Sequence, residues 1–177
     1  MWQRGGIPLR IVQVAETASP HTPLVVSNDS EGAIVIWEDL RKGLASIYAQ
    51  RISAAGRLSW QPGGVETLYV KSNASLAFRQ IVADGQGEAI VSCCFNEAGT
   101  GKKGILVQKL DSAGKLVWPG SGIRVINGDT RNYSLSFDGQ GGAIVSWGAG
   151  ASGESYIQRV SAEGTILWKD KGIRLSP

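Results

Sequence analysis

Short apolar runs separated by clusters of turn residues dominate this chain, and no stretch sustains a 3.6-residue apolar period. The pattern predicts strands and no helix. Residues 24–27 read as a first strand, and residues 33–37 as a second after a turn at 28–32. Residues 47–52 read as a third and 64–70 as a fourth. Second-strand sequence Gly32-Ala33-Ile34-Val35-Ile36-Trp37 returns as Glu88-Ala89-Ile90-Val91-Ser92-Cys93 and as Gly142-Ala143-Ile144-Val145-Ser146-Trp147. Third-strand sequence Ile47-Tyr48-Ala49-Gln50-Arg51-Ile52 returns as Ile105-Leu106-Val107-Gln108-Lys109-Leu110 and as Ser155-Tyr156-Ile157-Gln158-Arg159-Val160.

A third element follows each of these. Gly56, Gly114 and Gly164 each stand four residues before a tryptophan, Trp60, Trp118 and Trp168. Each of those tryptophans is followed four residues later by a glycine and an aliphatic residue: Gly64-Val65, Gly122-Ile123 and Gly172-Ile173. The unit is therefore about 50 to 58 residues long and holds four short strands, the composition of a propeller blade and not of a helical solenoid. Its length varies most between the second and third strands, where residues 96–104 make the longest connection. Asp84-Gly85-Gln86-Gly87 and Asp138-Gly139-Gln140-Gly141 are strong hairpin signals, because glycine supplies positive φ. Trp2 to Leu9 repeats the pattern of Trp168 to Leu175, so the chain holds four tails and three bodies. The expected division is an outer strand of an incomplete or neighbouring blade at 1–12, then blades at 13–70, 71–126 and 127–177.

The series Gly-Gly-Ala-Ile-Val-x-Trp, Tyr-x-Gln-Arg and Gly-x-x-x-Trp resembles the propeller-like repeats of bacterial secreted and surface proteins. Trp37-Glu38-Asp39-Leu40-Arg41 keeps that family's Trp-x-Asp-x-Arg form, whereas the second copy has Cys93 and Phe95 and the third keeps only Trp147. The Gly-x-x-x-Trp element is similar to the tryptophan-docking motif of quinoprotein-type propellers, whose indole wedges between adjacent blades. The resemblance implies an all-β fold of about three four-stranded antiparallel blades with an extra N-terminal strand. It is nearly silent on function, since propellers host many unrelated activities, and adds only a place on the outside of a bacterium. The lack of catalytic and metal-ligand motifs leads to the expectation of a non-enzymatic binding or scaffold module with no cofactor. Three blades do not close a ring, since propellers typically have four to eight. Two expectations follow: the chain belongs to a longer propeller, or it forms a homo-oligomer, a dimer or trimer, that completes one.

Composition changes this picture little. Glycine is abundant, 24 of 177 residues, as many tight turns require. The net charge of +3 comes from scattered basic residues, which argues against specific nucleic-acid binding. No apolar run approaches the ~20 residues that span a bilayer, so no membrane insertion is expected. No signal peptide is visible at the start. Cys93 and Cys94 are neighbours without a distant partner, and Cys93 takes the place of a tryptophan, which predicts a buried apolar role.

The candidate chemistry is mostly absorbed by the repeat. All six tryptophans, Trp2, Trp37, Trp60, Trp118, Trp147 and Trp168, sit in repeat motifs, and packing between blades explains them. A carbohydrate-binding propeller would rely on Tyr48, Tyr69, Tyr133 and Tyr156. A glycoside hydrolase would need carboxylates such as Glu31, Glu38 and Asp39 at a set separation. Residues 161–168 imitate a sialidase box without its aspartate. His21, the only histidine, reads as a solvated loop residue, and no metal-ligand spacing is present. Asp29, Asp84 and Asp138 read as turn residues whose carboxylates cap backbone N–H groups. Arg41, Lys42, Lys102 and Lys103 fall in the loops between second and third strands. Their position gives the one speculative binding feature, a basic rim for a polyanion.

Overall fold

The structure is a computed structural model that describes residues 23–28, 32–71, 73–150, 153–169 and 171–175, with the backbone alone at Phe78 and Arg131. Trp2, His21, Asp29, Glu31 and the expected extra strand at 1–12 lie outside the described residues. Twelve strands and no helix form among the described residues, as the all-β reading expects. They make three four-stranded antiparallel sheets, each a simple meander in chain order. Sheet A holds β1 (Leu24–Ser27), β2 (Gly32–Asp39), β3 (Ser46–Ser53) and β4 (Val65–Tyr69). Sheet B holds β5 (Ala74–Ala83), β6 (Ala89–Glu97), β7 (Lys103–Leu110) and β8 (Ile123–Asn127). Sheet C holds β9 (Thr130–Phe137), β10 (Ala143–Ala149), β11 (Ser155–Val160) and β12 (Ile173–Arg174). Sheet B ends at Asn127, one residue past the expected boundary at 126.

The register is the same in every sheet. Trp37 faces Tyr48, Cys93 faces Leu106 and Trp147 faces Tyr156 across the second and third strands. The long connection expected at residues 96–104 is strand at its two ends, which leaves a loop only at 98–102. Asn96 pairs with Lys103, and the Glu97 N–H donates to the Lys102 carbonyl at 2.8 Å, so the hairpin is lengthened and its tip carried outward. Because side chains alternate with period two, this extension leaves the faces of the sheet unchanged.

Turn chemistry fixes the first hairpin of each unit. Asp84 Oδ1 accepts from the Gln86 and Glu88 N–H groups, and Asp138 Oδ1 from Gln140 and Gly142, at 2.7–3.0 Å. The backbone closure that marks this position, Asp84 N to Glu88 O and Asp138 N to Gly142 O, recurs in sheet A as Asn28 N to Gly32 O. Asn28, not Asp29, is therefore the counterpart of the two aspartates. Its amide is buried without a hydrogen-bond partner.

The apolar residues form two layers, each between sheets. Ile34, Ile36, Ile47, Ala49 and Leu68 of sheet A pack against Ala89, Val91, Cys93, Phe95 and Leu106 of sheet B. The other face of sheet B, with Ile90, Ile105 and Val107, packs against Leu135, Ala143, Val145, Trp147 and Val160 of sheet C. Alternation thus makes the middle sheet apolar on both faces, which is why its central strands carry consecutive apolar residues, Ala89-Ile90-Val91 and Ile105-Leu106-Val107, in place of strict alternation.

The Asp84 and Asp138 turns differ in one respect, since Asp138 also pairs with Arg159 at 2.7 Å. Replacing Asp84 by Ala removes two backbone caps and should cost about 1 kcal/mol. Asp138→Ala should cost more, because it also strands the guanidinium. Burial by itself would raise the Asp138 carboxyl, but the Gln140 amide, Arg159 and the Gly142 amide together hold it below 3.8. Its contribution is complete above that value and disappears as the pH falls through the lower folded value. Thermal melts of wild type and Asp138→Ala should therefore converge in acid.

Candidate functional site: the junctions between sheets

A buried glutamine stands at the same register of every third strand. Gln50, Gln108 and Gln158 are each wholly inaccessible to solvent. Each Oε1 accepts two backbone N–H groups, from the next residue and from a tryptophan ten positions on. The tryptophan bonds run from Trp60, Trp118 and Trp168 at 2.9, 3.1 and 3.0 Å. Each Nε2 donates to a carbonyl just beyond, at Gln61, Trp118 and Trp168. The glutamine thus fastens the returning loop to the strand and sets the height at which the indole leaves it.

From that position the indole crosses to the next sheet. Trp60 Nε1 donates to the Ser112 carbonyl of sheet B at 3.1 Å, and Trp118 Nε1 to the Ala162 carbonyl of sheet C at 2.9 Å. Ser112 and Ala162 belong to equivalent turns, each closed by a glycine in a left-handed conformation, Gly114 and Gly164. A Cβ on Gly114 would lie 2.7 Å from the Trp60 ring, and one on Gly164 would lie 2.8 Å from the Trp118 ring. The glycine is required twice over, by its φ and by the ring above it. Trp60 and Trp118 are buried, whereas Trp168 of sheet C is partly exposed and has no acceptor for its indole N–H among the described residues. Gly56 ends the matching turn of sheet A.

The third-strand cation adds a second crossing. Arg51 donates to the Ser112 carbonyl at 3.2 Å, and Lys109 to the Gly141 carbonyl at 3.0 Å while pairing with Glu88. Arg159 instead turns back on Asp138 and Gln140 of its own sheet.

Polar pegs near the first strands distinguish the junctions. Between sheets A and B, Arg79 pairs with Glu38 at 2.6 Å, both largely buried. Between B and C, the Ser92 and Tyr133 hydroxyls meet at 2.9 Å, and Gln80 bonds the Tyr133 carbonyl and the Leu135 N–H. Burial pushes the Tyr133 phenol well above its ordinary range, so it stays a neutral hydrogen-bonding group. Burial likewise raises both thiols, Cys93 most, which keeps them protonated.

The second-strand tryptophans act within their own sheets. Trp37 stacks on Tyr48 and lies against Gly64, and Trp147 stacks on Tyr156 and lies against Gly172. Where Cys93 replaces tryptophan, Leu68 of sheet A reaches across to Gly122 instead. Neither stacked indole offers an open face, since both are over nine-tenths buried.

The four basic residues of the supposed rim are not brought together. Arg41 lies over Tyr48 and pairs with Asp39, and Lys42 pairs with Glu66 at 2.5 Å. Burial would raise the Asp39 carboxyl, but hydrogen bonds from Arg41 and Trp37 hold it below its ordinary value. Lys102 is exposed, and Lys103 stands 3.7 Å from Asp129. These two lysines share an open depression of about 630 Å³ with Arg124, which the sequence reading did not single out. Among the described residues no three His, Cys, Asp or Glu side chains are grouped to hold a metal ion.

No family model matches the chain, and no curated protein matches it. No helix of the described residues is long and apolar enough to cross a membrane.

Gly43 has a φ of +79° like that of Gly114, but open space around it. Gly43→Ala should therefore report backbone strain alone, about 1 kcal/mol. Gly114→Ala should cost about 1–3 kcal/mol more, because its methyl meets the Trp60 ring. Gln108→Leu should cost roughly 3 kcal/mol, since it leaves the Trp118 and Lys109 N–H groups buried without acceptors. Denaturant unfolding of the variants measures all three.

Proposed function

We propose that the three sheets are consecutive blades of a β-propeller and that the chain is a non-enzymatic scaffold module. In this reading it works by presenting a stack of blades as part of a larger propeller or of an assembly. The observation that supports this reading best is the docking of Trp60 and Trp118 onto equivalent glycine turns of the following sheet. The same device at both junctions means that each sheet is built to receive a successor. Contacts between β1 and β5 and between β5 and β9 agree with first strands gathered about one axis. A place outside a bacterial cell is supported only by the resemblance to secreted and surface repeats.

Spin labels test the blade geometry. In a propeller, labels at Val25 and Ser134 on first strands should lie closer together than labels at Tyr69 and Arg174 on or beside the outer strands. Equal separations would describe a flat stack and reject the axis.

A second reading, an anion-binding site, is favoured only at sheet B, by Lys102, Lys103 and Arg124 around one depression. Glu97 at 3.5 Å from Arg124 and Asp129 beside Lys103 temper its charge. Lys102→Glu with Lys103→Glu should shift elution from a sulfated-polysaccharide column to lower salt. Arg41→Glu with Lys42→Glu should instead lower thermal stability, through loss of the Asp39 and Glu66 pairs. Unchanged elution of the first variant would exclude the site.

A further inference from the structure

The outward face of sheet C repeats the face that sheets A and B each bury against their successor. Ile34 and Ile90 are inaccessible to solvent, but their counterpart Ile144 is partly exposed. Ala49 and Val107 are likewise inaccessible, and their counterpart Ile157 is partly exposed. Thr67 and Val125 are covered, at 0% and 3%, whereas Leu175, which stands in their place beside Ser155, is 58% exposed. Trp168 completes the set. Its backbone is held by Gln158 as Trp60 and Trp118 are held by Gln50 and Gln108, so its indole is aimed outward before anything meets it.

The same face carries a depression of about 300 Å³ lined by Ser134, Ser146, Gly148 and Leu175, among others. Ser146 occupies the place of Ser92, which receives the Tyr133 hydroxyl at the junction before. Gly148 occupies the place of Glu38 and Cys94, which meet Arg79 and Thr130. Glycine there offers no side chain to meet a neighbour.

We propose that this face is the docking surface for a fourth antiparallel sheet of the same repeat. Its Ser/Asp-x-x-Gly turn would lie on Trp168, and its first strand would carry a large residue with a polar tip against Ser146 and Gly148. The proposal rests on the blade reading above. A second copy of this chain, added head to tail, is the poorer occupant. Its leading sheet would bring the first strand Leu24-Val25-Val26-Ser27, which carries no large residue with a polar tip to set against Ser146 and Gly148.

The test extends the full chain by a duplicate of its own third unit, residues 127–175, and follows hydrogen exchange of the Trp168 indole N–H, assigned with Trp168→Phe. Docking should slow that exchange roughly tenfold or more relative to the unextended chain. Gly164→Ala in the appended unit alone should restore most of the rate, with strand content checked by circular dichroism. An appended unit that folds without slowing the exchange overturns the proposal, as does one that stays unfolded. Trp168-dependent dimers of the unextended chain in sedimentation would assign the face to a second copy and also overturn it. Spin-label distances that keep the propeller pattern while docking fails would separate this failure from failure of the blade reading.

Discussion

The structure depends on a side-chain amide with no access to water. A buried glutamine costs free energy unless each of its polar atoms is paired, and Gln50, Gln108 and Gln158 pair theirs entirely with backbone. The segment that returns from the third strand makes only an isolated bridge to it, Ile52 to Leu58, Leu110 to Leu116 and Val160 to Ile166. The N–H and carbonyl groups between that bridge and the fourth strand therefore need such a partner. In satisfying them the amide also removes the freedom of the tryptophan, which then projects from a fixed point. An indole held in this way loses little further entropy on meeting the next sheet. The rigidity of one sheet's edge is thus what makes the following junction strong.

The junctions are directional. Sheets A and B each give an indole and a cation forward, and sheets B and C each offer a glycine turn backward, so two sheets meet by unlike surfaces. Such heterologous contacts propagate instead of pairing off. Sheet B shows the consequence, being apolar on both faces with a tryptophan toward C and a glycine turn toward A. The exchange of Trp37 and Trp147 for Cys93 does not break the pattern. The volume lost there is recovered by Leu68, which crosses from sheet A to Gly122. The Trp–Gly64 contact is made within one sheet and its substitute between two, so the close-packed interior accepts either source of atoms.

Most of the scaffold was legible because its signals are local and repeated. The boundaries of β1 coincide with the expected strand at 24–27, and the other strands of sheet A differ from expectation by one or two residues at an end. The roles of Trp60, Trp118, Gly114 and Gly164 follow from their spacing, since a residue recurring at one register in every copy is doing structural work. Gln50, Gln108 and Gln158 carried the same signal, but a glutamine in a strand reads as a solvent-facing polar residue until its partners are seen. The pairing of two of the four basic residues was hidden for the opposite reason. Arg41 and Lys42 look free in sequence because Glu66 is far away along the chain, and only strand pairing brings it to Lys42. The place of Asn28 was hidden because an adjacent asparagine and aspartate look alike to a sequence, and only the backbone closure shows that Asn28 stands at the register of Asp84 and Asp138.

What the tryptophans do not supply is order. Trp60 on Gly114 and Trp118 on Gly164 are nearly interchangeable, so an indole and a glycine turn would hold the sheets in any sequence. The polar pegs differ. Arg79 against Ser92 and Cys94 would be a buried guanidinium without its carboxylate, and Tyr133 against Glu38 would leave that carboxylate without its cation. A buried ion left unpaired costs several kcal/mol, about as much as burying an indole contributes. Affinity and specificity are therefore carried by separate residues at each junction. The outer side, with its amide, indole and glycine, is common to all, while the inner side is written differently each time. Ser146 and Gly148 stand at the matching register of sheet C, a third pair of side chains unlike the other two.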